Sequence, residues 1–64
     1  MSKKKLVEII QEAQYGYMYS CGAEKVTFSY KDIDQFSHDV IFLSKKFKVE
    51  RDVNNMLITV YYND

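Results

Sequence analysis

Cys21 and His38 are the only cysteine and the only histidine in this 64-residue chain, and they are the candidate pair for a nucleophile and its base. A reactive thiolate needs a neighbouring base, a cation or a helix N-terminus to lower its pKa. Cys21 instead follows "LVEIIQEAQYGYMYS", whose spacing reads as helix, so the thiol falls near a helix C-terminus where the backbone dipole opposes a thiolate. His38 lies off the apolar stripe of its own segment and reads as a solvated surface histidine. The acid pairs Glu8 with Glu12 and Asp32 with Asp34 read as helix surface and helix-start electrostatics rather than as acid and base. One cysteine and one histidine form no zinc spacing, and two glycines cannot build a phosphate-cradling loop. The sequence predicts no catalytic residue, no metal site and no cofactor, and hence a non-enzymatic protein.

Hydrophobic spacing gives the elements that would position these side chains. Leu6, Val7, Ile9, Ile10, Ala13 and Tyr17 keep one helical face apolar, with Cys21 a turn further and Gly22 as the stop. This predicts a first helix from Lys3 to about Ser20, with residues 1–4 frayed, Tyr17 directed to the core, and Tyr15 and Tyr19 stacked outward beside Glu8 and Glu12. The alternative is a strand over residues 15–20, where tyrosine occupies every second position, turning at "CGAE" into the next strand. "KVTFSY" alternates cleanly and predicts a strand with Val26, Phe28 and Tyr30 on one face. Ile33, Phe36, Val40, Leu43 and Phe47 recur at intervals of three and four, predicting a second helix capped by Ser29 or Asp32, with Phe42 off the seam and exposed.

"FKVERDVNNMLITVYY" reads as a hairpin turning at Asn54 and Asn55, with Val49 facing either Val60 or Ile58. The expected fold is one small α+β domain in the order helix, strand, helix, hairpin (αβαββ). Its three-stranded, mainly antiparallel sheet has two helices on one face, leaving Leu57 and Tyr61 as the apolar residues of the other. The strand alternative for residues 15–20 makes the order αββαββ.

Formal net charge is zero, which excludes a strongly acidic nucleic-acid mimic and disfavours a nonspecific binder held by phosphate neutralisation. No apolar run approaches the roughly 18 residues of a membrane span, and Glu8, Gln11 and Glu12 interrupt the stretch a signal peptide needs. With its single cysteine, the chain is expected to be cytoplasmic. Eight lysines against one arginine, six tyrosines and no proline fit an AT-rich coding sequence, such as that of a low-GC bacterium or its phage.

A domain this small buries only about 60% of the surface its unfolded chain exposes, so association is an expected source of stability. The expected function is protein–protein interaction through Tyr15, Tyr19, Phe42 and Tyr61, tyrosine being enriched in interface hot spots. The partner would be a host or cellular protein, for which the chain acts as a phage-encoded inhibitor or modulator, or a second copy in a homodimer. The alternative is a winged-helix-like DNA- or RNA-binding accessory protein using Lys3, Lys4, Lys5, Lys45, Lys46 and Lys48.

Overall fold

Val26, Phe28 and Tyr30 project from the same side of one strand, and the rest of the chain is assembled against that side. The computed structural model describes the backbone of residues 2–62 and the side chains of residues 6–62. The elements are α1 (Ser2–Glu12), β1 (Tyr17–Cys21), β2 (Lys25–Ser29), α2 (Ile33–Ser44), β3 (Lys48–Asp52) and β4 (Leu57–Tyr61). Four antiparallel strands form one sheet in the order β1-β2-β4-β3. Ile9 and Ala13 from α1, Phe36 and Leu43 from α2, and Ile58, Val60 and Tyr62 from the C-terminal segment join the β2 residues in one core, so both helices serve the same face. Met1 and the side chains of Lys3, Lys4 and Lys5 lie outside the described residues, as does the question of fraying at Met1.

The α2 and hairpin expectations hold with adjustments. Asp32 is the N-cap, its side chain accepting from the amides of Asp34 at 2.7 Å and Gln35 at 3.3 Å. The helix stops at Ser44, so Phe47 packs half-buried from beyond its end. In the hairpin Val49 faces Val60 and Asp52 faces Leu57, the first of the two expected registers. Asp52 holds the turn by accepting from the Asn55 side chain at 2.9 Å, yet the positive φ falls on Met56 at 52° rather than on the asparagines.

The long first helix is corrected. α1 ends at Glu12, and residues 14–16 bend the chain into β1, so the sheet has four strands and the order is αββαββ. Gly16 shows why helix gives way here: a Cβ at this position would lie 2.6 Å from the Tyr30 hydroxyl and 2.9 Å from Phe28 Cβ. The backbone passes directly against the aromatic side chains of β2, an approach that only glycine permits. Of the alternating tyrosines, Tyr17 and Tyr19 lie in β1 and Tyr15 in the bend before it. Tyr17 faces Ser29 and Met18 faces Phe28; after a bulge at Tyr19, Ser20 faces Thr27 and Cys21 faces Val26. Tyr17, expected in the core, is 57% exposed on the uncovered face of the sheet, and Tyr15 and Tyr19 do not share a helix.

No helix among the described residues is long and apolar enough to cross a membrane.

Candidate functional site

The two edges of the sheet differ in kind. β3 carries Lys48, Glu50, Arg51 and Asp52 among its five residues, and charges on an edge strand disfavour pairing with a further chain. β1 is "YMYSC", with no charge, no proline and every side chain exposed. A bulge between Met18 and Ser20 interrupts its register with β2 at Tyr19, which is 65% exposed. Among the described residues, no strand pairs with β1 on the side away from β2.

Beside the start of β1 lies a polar centre that hydrophobic spacing did not announce. Asp39 on α2 is completely buried. Its Oδ2 accepts from the Tyr30 hydroxyl at 2.7 Å and the Tyr15 amide at 3.2 Å, and its Oδ1 lies 3.0 Å from His38 Nδ1. One carboxylate thus ties α2 to the end of β2 and to the bend that launches β1. Burial, followed by the hydrogen bond to Asp39 and its charge, pushes the Tyr30 phenol far above its ordinary pKa. A signal for Asp39 did exist, because it stands three residues after Phe36 and four before Leu43, on the buried seam itself.

Of the expected contact residues, Tyr15 and Phe42 are brought together through His38. The Tyr15 ring meets the imidazole edge-on at 5.2 Å, and Phe42 stacks on it at 5.6 Å. Phe42 is therefore half-buried rather than exposed, while His38 retains 44% side-chain exposure and is held by Asp39 rather than merely solvated. Tyr19 stands apart on the β1 edge. Tyr61 lies on the uncovered sheet face, donating to Glu50 at 2.8 Å, a bond that raises its phenol pKa, with Lys25 and Lys48 each 5.8 Å from the ring centre. That face also carries Tyr17, with Lys31 at 5.2 Å from its ring.

Of the lysines of the nucleic-acid alternative, Lys45, Lys46 and Lys48 have described side chains, and each stands in a different setting. Lys46 pairs with Glu12 at 3.2 Å, Lys45 caps α2, and Lys48 joins Tyr61. Cys21 is not at a helix end but on β1, exposed, beside the Tyr62 hydroxyl that donates to the Gly22 carbonyl. Ile33, expected on the buried seam, is exposed and lines a shallow groove of about 270 Å³ with Ile41 and Val53. The chain matches no family model, no curated protein and no solved structure.

Proposed function

We propose that this protein is a small non-enzymatic binding module that takes a strand of another protein, cellular or a second copy of itself, against the free edge of β1. The supporting observation is the contrast between the edges: four charged residues guard β3, whereas β1 is uncharged and exposed along its whole length. Strand addition supplies main-chain hydrogen bonds for affinity and leaves alternate side chains to select the partner. Tyr17 and Tyr19 offer contact area with few rotatable bonds and a polar tip, and Tyr15 continues the surface at the bend. Acting by occupancy needs no catalytic group, so a chain of this size suffices as an inhibitor or modulator.

Tyr19→Lys tests this reading, since it places a charge on the edge while touching no core side chain. Salt-tolerant capture of a protein partner, or concentration-dependent sedimentation of the chain alone, is expected for the native sequence and lost in the variant. An undiminished complex with Tyr19→Lys would sink the proposal.

A second reading, single-stranded nucleic acid on the uncovered face, draws on Lys25 and Lys48 flanking Tyr61, because bases stack on aromatic rings while lysines meet phosphate. It is told apart by steep salt dependence and by sensitivity to Tyr61→Ala rather than Tyr19→Lys.

A further inference from the structure

Asp39 fixes more than the chain path. Its Oδ1 lies 3.0 Å from His38 Nδ1, a contact made when the ring carries its proton on Nδ1 and the carboxylate accepts it. In the neutral imidazole the lone pair is then on Nε2. The ring packs nearly perpendicular to Tyr15 and parallel to Phe42, contacts that hold it in place. A carboxylate bonded to one ring nitrogen, with the other nitrogen left to bind, is the arrangement that presents histidine to a metal ion.

Asp34 stands one helical turn before His38, which puts the two side chains on the same face of α2. They line one surface pocket of about 260 Å³ together with Gln35 and Tyr15. We propose that Asp34 and His38 bind a divalent transition-metal cation, with the Asp34 carboxylate and His38 Nε2 as protein ligands and water completing the shell. One imidazole nitrogen with one carboxylate suits borderline ions such as Zn²⁺, Ni²⁺ or Cu²⁺ better than Mg²⁺ or Ca²⁺, which take oxygen ligands. A cation at Nε2 also offsets the charge of Asp39, which is wholly buried with neither lysine nor arginine among its hydrogen-bond partners. Among the described residues no group of three or more histidine, cysteine, aspartate or glutamate side chains gathers. The site is therefore an open, exchangeable one rather than a closed structural centre. The pocket shares Tyr15 with the proposed contact surface, but its two ligands lie on α2 rather than β1, so different variants test the two readings.

The test is titration of the untagged full chain with Zn²⁺ alone and Ni²⁺ alone, followed residue by residue by NMR. Saturable shifts with Zn²⁺ and paramagnetic broadening with Ni²⁺ are expected around residues 34–38 and Tyr15, with Mg²⁺ inert. His38→Gln should abolish the response, and Asp34→Asn should weaken binding. Asp39→Asn, which leaves both ligands in place, should cost roughly 10–100-fold through the lost partner of Nδ1. If Asp39→Asn does not fold, the two variants at exposed positions still decide the matter. Absence of saturable binding to the native chain, or unchanged titrations of His38→Gln and Asp34→Asn, would overturn the site.

Discussion

At the scale of single residues, the Asp39 to Tyr30 contact concentrates the most physical consequence in one pair. A buried carboxylate is tolerated only when hydrogen bonds replace its water, and the Tyr30 hydroxyl at 2.7 Å is the shortest of the three contacts that do so. Tyr30→Phe is expected to cost about 1–3 kcal/mol near neutral pH, the range for leaving a buried acceptor short of a donor. The same variant should behave differently in alkali. Burial and the adjacent carboxylate raise the folded-state pKa of Tyr30 above its unfolded value, so the folded protein keeps a proton that the unfolded chain has released. Stability from this group is complete below about pH 10 and declines above it by up to about 1.4 kcal/mol per pH unit. Tyr62 is shifted in the same direction by its own burial and by Cys21, so alkaline sensitivity persists in part. Urea unfolding at neutral and at alkaline pH should show the deficit of Tyr30→Phe shrinking as pH rises; a constant gap would mean that the phenol carries no such linkage.

At the scale of elements, Gly16 decides between two readings of the same residues, and its substitution discriminates them by sign. In the interior of a helix, Gly16→Ala would stabilise by roughly 1 kcal/mol. Against the Tyr30 ring, the added methyl meets atoms at 2.6 to 2.9 Å, and overpacking of that kind costs about 1–3 kcal/mol. Denaturant unfolding of Gly16→Ala is expected to show the loss; a gain would contradict the close approach. The same residues show what could be read beforehand. β2, α2 and β4 were legible because each fills the core with a regular period: Val26, Phe28 and Tyr30 by twos, Phe36, Val40 and Leu43 by threes and fours, and Ile58, Val60 and Tyr62 by twos. β1 was legible only as the alternative strand over residues 15–20, because it buries no side chain that would decide against the helix; its conformation is set by pairing with β2 and by contact of its leading glycine. Leu6, Ile9 and Ala13 carry a helical rhythm that Tyr17 and Cys21 prolong by coincidence. Asp39 was obscured for a related reason, since an acid at seam spacing identifies itself only once Tyr30 and the Tyr15 amide are known to converge on it. Of the four aromatic contact residues, three kept substantial exposure or an accessible face, whereas Phe42 was drawn against His38 by stacking that helix periodicity alone does not register.

At the scale of the whole molecule, the proposed strand addition turns the contrast between a charged and an uncharged edge strand into a prediction about assembly. Pairing through β1 consumes the only uncharged edge, so two copies joined this way close on each other and present β3 at both ends. Lys48, Glu50, Arg51 and Asp52 then stop growth, because each incoming strand meets charges that would have to be desolvated or opposed. Weakening that guard should change the form of association and not simply its strength. Glu50→Thr combined with Arg51→Thr removes the two charges at the middle of β3 and leaves only Lys48 and Asp52 at its ends, which weakens the guard, and head-to-tail pairing of unlike edges grows open-ended unless its rotation closes a ring. Light scattering and sedimentation of the double variant should therefore reveal open-ended assemblies whose size rises with concentration, while the native chain stops at a small discrete species. Adding Tyr19→Lys to the double variant should abolish the growth by blocking the β1 end of every contact. If the double variant remains as discrete as the native protein, the charges of β3 are ordinary surface and the asymmetry of the edges does not govern association; if Tyr19→Lys fails to suppress the growth, the assemblies form through some surface other than β1.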